Sequence, residues 1–504
     1  MNQTETLTQL KAFVRQSATL ESVLATLEWD QQTYMPDQAG EHRSEQVAML
    51  AAMVHQRKTD AQLGEWLSNL DEGEFAGGDE NDDATTVRMV RRAFERQSKM
   101  PESLVTNLAK ACSKGQQQWA RARHEQRFDL FADTLEEIVR LKQQQADAIG
   151  FEASPYDALL DEYEPGMTVA KLTPILAGLR SDLVPLIAAI ADSSCHAPVE
   201  LLHRIFPVAQ QEVIGRQAAS EIGFDFERGR LDVTHHPFCT ELGPDDTRIT
   251  TRYDESFFSG SFFGTLHEAG HGIYQQGLRS AWYGLPPGTY VSLGMHESQS
   301  RLWENQVGRS QPFWQYYFPK VQAAFASTLQ DVTVDSWFFA VNHVAPSLIR
   351  VEADEATYNL HIIIRFELEQ SLIGGQLSVK DLPEAWNQKY RDYLGIEPAN
   401  DAEGVLQDVH WSAGLFGYFP TYTLGNLYAA QLFDAADREL GGLPALMAQG
   451  EFTPLRDWLH EKIHRKGQTL DAATMARQAT GEELSHQALL RHLRAKLAPL
   501  YQLD

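Results

Sequence analysis

Cysteine is nearly absent from this sequence. Cys112, Cys195 and Cys239 form an odd, scattered set without CxxC spacing, which argues against a disulfide framework and a thiolate metal site and favours a reducing cytoplasm. The chain also lacks any run approaching the roughly 18 apolar residues that span a bilayer. Its first residues, MNQTETLTQLKAF, have no charged head followed by an apolar stretch, so neither anchor nor export signal is expected. Positive charge is short as well: 43 Lys and Arg stand against 69 Asp and Glu, a net charge of −26. A surface that acidic repels phosphate backbones and anionic headgroups, so neither nucleic acid nor membrane is expected as a partner. No internal repeat, low-complexity tract or obvious linker divides the 504 residues, and 43% hydrophobic content leaves ample core for one large unit.

What is present is mostly helical in period. Leu7, Leu10, Phe13 and Val14, and later Leu135, Ile138, Val139, Ala146 and Ile149, recur at helical spacing among Gln, Arg and Glu. The acidic stretch EGEFAGGDENDD, Glu72 to Asp83, lacks the ordered DxDxDG spacing and closing Glu of a calcium loop and reads as a solvated turn before the next helix. Near Leu231 the texture changes. LDVTHHPFCTEL and TRITTRY carry β-branched residues around Gly243-Pro244-Asp245-Asp246, which predicts two short strands joined by a turn. After them Ser259-Gly260-Ser261 offers a helix start, and Phe262, Leu266, Ala269 and Ile273 keep helical spacing up to Gly277.

That predicted helix contains HEAGH, residues 267 to 271. Positions i and i+4 share a helix face, so His267 and His271 can aim ring nitrogens at one cation about 2 Å away. Glu268 projects beside them, where a carboxylate can take a proton from an attacking water and pass it to a leaving amine. Chance is a poor explanation, since this composition produces HExxH only about 0.04 times in a chain of this length. Gly264, Gly270 and Gly272 are poor helix formers and suggest close approach by backbone or ligand.

A working site needs a third protein ligand and an open position. The metzincin spacing would put Gly at 274 and His at 277, where Tyr274 and Gly277 stand instead. No Asp, Glu, His or Cys occurs between His271 and His296, and then MHESQSRLWEN follows. A third ligand from this downstream segment is therefore His296 or Glu297, and on a helix the two diverge by about 100°. The competing reading of Glu297 is an i,i+4 salt bridge with Arg301.

These residues carry a resemblance to a known family. HPF at 236 to 238, DxRxT at Asp246, Arg248 and Thr250, HEAGH, HESQ at 296 to 299, IRVEAD at 349 to 354 and GVLQDVHW at 404 to 411 occur in order, with WDQQTYMP at 29 to 36 before them. In these blocks the chain resembles the M32 metallocarboxypeptidases, the Taq carboxypeptidase family, over nearly its whole length. The resemblance implies a mainly α, gluzincin-type metallopeptidase with a small β-sheet beside the HExxH helix and a deep central groove closed at one end. It implies a butterfly-shaped homodimer. It also implies one zinc, or cobalt or another divalent metal, per chain, held by His267, His271 and Glu297, with His296 no ligand and Glu268 as general base and acid. The substrates would be peptides with a free C-terminal carboxylate, trimmed one residue at a time with broad tolerance. On this reading 1–504 is one catalytic unit, with 1–230 its mainly helical half and 231–504 its metal- and substrate-binding half.

A terminal carboxylate calls for a planar guanidinium, and Arg350 in IRVEAD is the first choice, against the plainer reading of a helix-surface pair with Asp354. Arg248 could touch substrate or simply pair with Asp246. His236 could line the groove or be a structural histidine. The oxyanion formed at the peptide carbonyl needs a donor, and His410 and Tyr422 are the candidates, in an aromatic segment with Tyr418 and Phe419 that could equally be core. Two other functions compete: an oligopeptidase cutting internally, which gains nothing from Arg350, and a zinc-stabilised scaffold, which has no use for Glu268.

Overall fold

The computed structural model describes residues 2–70 and 81–503. It is mainly helical, with one small sheet, as the sequence period implies. Six helices build or brace the site and are numbered in chain order. The first, α1 (Gln3–Thr33), starts on a capping box in which Asn2 and Glu5 satisfy each other's backbone N–H groups. Its inner residues Leu7 and Leu10 join Leu63, Leu67, Leu70, Val87 and Val90 in a small core of their own. A much larger core runs from Leu104 to Tyr501 and crosses position 230 without a break. Residues 71–80, most of the acidic EGEFAGGDENDD stretch, lie outside the described residues, and a helix follows at Asp82, capped by the Asn81 side chain.

The second helix, α2 (Val169–Ala191), corrects one expectation: with a mean hydropathy of 1.5 it is long and apolar enough, by length and composition alone, to cross a membrane. Its Leu172, Leu176, Leu179, Leu183, Ile187 and Ile190 stripe is buried against the main core. Arg180 and Asp182 on the same helix are tied to Glu367 and His486. These contacts set one face of the helix in the core.

The sheet also departs from expectation, with three strands in place of two. They are β1 (Gly229–Val233), β2 (Cys239–Gly243) and β3 (Asp246–Thr251), in the order β1-β3-β2, β1 parallel and β2 antiparallel to β3. The expected turn at Pro244-Asp245 joins β2 to β3, with Asp245 at φ +65°. The segment read as one strand is split between Val233 and Cys239, where Pro237 has no N–H to give a ladder. The end of α1 is sewn to this sheet: Tyr34 Oη donates to Asp232 at 2.5 Å, and Ser22 Oγ donates to the Leu242 carbonyl.

Behind the sheet lies α3 (Phe258–Gly277), which begins one residue before the expected Ser259 and carries HEAGH. Its neighbour α4 (Leu293–Arg301) is held at its N-terminus by the other half of the chain. Ser292 caps it, and Tyr163 O and Glu164 Oε2 accept the Leu293 and Gly294 N–H groups at 3.1 and 3.0 Å. The α-helical turn stops at Arg301 and a π-helical stretch, Leu302–Val307, continues it. Next come α5 (Tyr358–Ile373), buried almost all round, and α6 (Pro420–Leu440), packed along α4. Two glycines let these helices close up. A Cβ at Gly270 would lie 2.5 Å from the Gln299 carbonyl, and one at Gly425 would lie 2.4 Å from Glu297 Cγ.

Candidate metal centre and substrate site

The helical turn does what the spacing implied. His267 and His271 on α3 and Glu297 on α4 place one potential ligand atom each within 4.8 Å of one another. Glu297 Oε2 lies 3.4 Å from His271 Nε2 and 3.7 Å from His267 Nε2. Each imidazole is fixed from behind, His267 Nδ1 by Glu304 Oε2 at 2.9 Å and His271 Nδ1 by the His296 carbonyl at 3.0 Å. Both partners only accept, so each Nδ1 is the donor and each Nε2 turns a lone pair inward. Three lone pairs meeting this way repel unless a cation lies among them, and two imidazoles with a carboxylate fit a divalent metal of zinc's borderline softness. His296 points elsewhere. Its ring stacks on His271 at 4.3 Å, and its Nε2 meets Gln275 Nε2 at 2.9 Å.

The alternatives for Glu297 turn out to coexist. Its Oε1 accepts Arg301 Nε at 2.6 Å while Oε2 faces the histidines. Burial works to raise its pKa, but Arg301 and the two histidines hold the carboxyl well below the usual range. Glu268 is buried beside them, and there burial wins, pushing its carboxyl up against the opposing pull of His267 and His271. A carboxylate so placed is a stronger base than a solvated one.

Further along the cluster, Arg301 lies over the Tyr358 ring at 4.5 Å, and Tyr358 Oη accepts Arg350 Nη1 at 3.0 Å. Arg350 is not a helix-surface residue. It sits in a 3-10 turn, 5% exposed, with Nε and Nη2 on Asp408 Oδ1 at 3.0 and 2.8 Å. Asp354 instead caps the backbone of Ala356 and Thr357. Asp408 is shared: Arg365, fully buried on α5, reaches its Oδ2 at 2.6 Å. Two buried guanidiniums thus stand on one carboxylate, a surplus of one positive charge. His410 does not add to it, since burial and the nearby guanidiniums push its pKa down to about 4 despite Asp408. Its Nε2 lies 3.3 Å from Tyr422 Oη, in a cluster with Tyr418 and Phe419.

The remaining candidates sit apart from this chain of contacts. Arg248 pairs with Asp246 through two bonds of 2.9 Å and stacks on Trp29 at 4.1 Å, so its structural alternative is realised. His236 is exposed between β1 and β2 and makes no contact with the metal trio among the described residues. Sequence reasoning missed Glu304, Arg365, Asp408 and Tyr358. Arg365 did leave a trace: it is a lone cation in the apolar run LHIIIRF.

The family model for the Carboxypeptidase Taq (M32) metallopeptidases matches residues 9–497. The chain belongs to the M32 metallopeptidase family. It is 47% identical to thermostable carboxypeptidase 1 of Thermus thermophilus over 502 residues, with 98% of each chain covered. It is 40% identical to carboxypeptidase 1 of Bacillus subtilis, with 95% of each covered. A solved M32 carboxypeptidase from Deinococcus radiodurans R1 superposes with a TM-score of 0.95 at 38% identity, covering 99% of this chain and 100% of that one. Membership of the M32 family makes the protein a peptide hydrolase that uses a divalent metal, and the scaffold alternative falls with it.

Proposed function

We propose that this enzyme trims single residues from free peptide C-termini with broad side-chain tolerance, using one zinc held by His267, His271 and Glu297. When bound, the metal supplies Lewis acidity, polarising the scissile carbonyl and acidifying a water. Glu268 takes the proton of the attacking water and returns it to the departing amine. Tyr422, which burial keeps protonated, and His410 offer hydrogens to the oxyanion. Arg248, held by Asp246 and Trp29, and the exposed His236 are proposed to meet outer parts of the substrate, away from the metal cluster. The three free thiols support a cytoplasmic setting, and the family resemblance supports a homodimer acting as one catalytic unit per chain.

The observation that carries the carboxypeptidase reading is the surplus charge at Arg350 and Arg365. A buried positive charge without its own counter-ion is costly, and a substrate carboxylate neutralises it. An enzyme cutting in mid-chain brings no carboxylate to that point.

Kinetics on matched peptides ending in a free acid or an amide test this. Free acids should be cut far faster, Arg350→Ala should damage only the free-acid reaction, and Glu268→Gln should keep its metal while turnover drops by about 10² to 10⁴. Equal cleavage of amides, or products from internal bonds, would replace this reading with the oligopeptidase one.

A further inference from the structure

Glu297 has two carboxylate oxygens, and the protein treats them differently. Oε2, turned to the histidines, also accepts Ser300 Oγ at 3.2 Å. Oε1 is occupied by Arg301 Nε at 2.6 Å. Arg301 is itself held in place. Its Nη1 lies 3.3 Å from Glu304 Oε2, the same oxygen that accepts from His267 Nδ1, and its flat face rests on Tyr358. Glu304 Oε1 takes Arg309 Nη2 at 3.2 Å, so the acid is anchored on both sides. Gly425 on α6 passes so close that a Cβ there would lie 2.4 Å from Glu297 Cγ. The contacts close a ring, from His267 through Glu304 and Arg301 to Glu297, around the position where the ligand atoms meet.

A carboxylate can bind a metal through one oxygen or both, and a free second oxygen readily completes the chelate. An arginine bond to that oxygen opposes this, because it takes one of the oxygen's two lone pairs, fixes the carboxylate's orientation and draws charge away from the metal. We propose that Arg301 is a positioning residue that restricts Glu297 to one-oxygen ligation and so keeps a coordination position open for water and substrate. It acts at two of the three ligands at once, because the acid anchoring its guanidinium also sets the His267 ring. Its placement at i+4 from Glu297 makes the lock part of one helical turn.

The inference rests on the ligand assignment above, and cobalt(II) in place of zinc tests the two separately. Its visible absorption is intense with four ligands and weaker with five. Arg301→Met, similar in reach but uncharged, should still bind cobalt, show a weakened band, and lose about 10- to 100-fold in kcat with KM little changed. Arg301→Lys should recover part of the band. Glu304→Gln, which loosens the anchor and leaves the Glu297 pair, should weaken the band in the same direction. A cobalt-loaded Arg301→Met with the wild-type band would overturn the lock. So would loss of cobalt by that variant with its melting curve intact, since Arg301 would then be needed to hold the ligand rather than to limit it. Glu297→Ala with an unchanged band would instead sink the ligand assignment.

Discussion

Single residues here divide by how far apart their partners lie in the chain. His267, Glu268 and His271 were readable because one helical turn brings them together; the ligand-free gap after them narrows the third ligand to His296 or Glu297, and only the family resemblance selects Glu297. Asp408 was not readable, since nothing in the order of residues says that it meets Arg350 and Arg365, 58 and 43 positions away. Its importance is physical: Asp408→Asn keeps the shape and leaves two buried guanidiniums without a counter-charge, a loss of about 3–5 kcal/mol at neutral pH. The pH dependence follows from linkage. Burial alone would raise the Asp408 pKa, but Arg365 and Arg350 hold it below the ordinary 3.8. A depressed carboxylate contributes stability that is complete above its unfolded pKa and lost as pH falls through its folded one. Urea unfolding of the wild type and Asp408→Asn, both with chelator and from neutral pH down to about pH 2, should therefore give curves that converge toward acid. A gap that stays constant with pH would mean that the charge of Asp408 carries none of the effect.

Among the elements, the HExxH helix and the hairpin turn were legible from period and turn chemistry, and the count of strands was not. Local alternation cannot distinguish one strand from two separated by His235-His236-Pro237, and the parallel pairing of β1 with β3 is a tertiary choice. Glycine gave a cleaner signal. Gly270 stood out as misplaced in a helix, and the structure supplies the reason in the crossing of α3 over α4. Gly425 has the same function where α6 meets Glu297, yet one glycine in TYTLGNLYAA announces nothing. The two crossings make separable predictions. At 270 a new Cβ strikes the Gln299 and Ser300 backbone, so Gly270→Ala should lower stability by about 1–3 kcal/mol or more by forcing the helices apart. At 425 the Cβ strikes the side chain of Glu297, the proposed third ligand, so Gly425→Ala should lose metal affinity well beyond its change in melting temperature. Chelator competition beside melting curves measures both: Gly270→Ala, which also parts α3 from α4, should lose stability and affinity together, and a Gly425→Ala protein that loses stability with its metal affinity unchanged would contradict the assignment.

For the whole molecule, the acidity that argued against nucleic acid and membrane also bears on the substrate. A chain of net charge −26 surrounds a buried cluster that carries one surplus positive charge and is proposed to receive a carboxylate. The two fields have different reach. The local cation acts over a few ångströms in a dry site, where salt hardly screens it, whereas the surface charge acts through solvent over a Debye length of about 10 Å at 0.1 M salt. An approaching anionic peptide therefore meets repulsion before it meets attraction. Raising ionic strength should lift kcat/KM for N-acetylated peptides with a free C-terminus, because screening weakens the outer repulsion and leaves the inner contact intact. Peptides of the same length carrying two lysines should show the opposite slope, since for them the surface field is a guide. The comparison at fixed metal, from about 10 mM to 0.5 M salt, isolates the field from the chemistry because both peptides present the same scissile bond. Parallel slopes for the two substrates would show that the acidic surface plays no part in delivering peptides to the site.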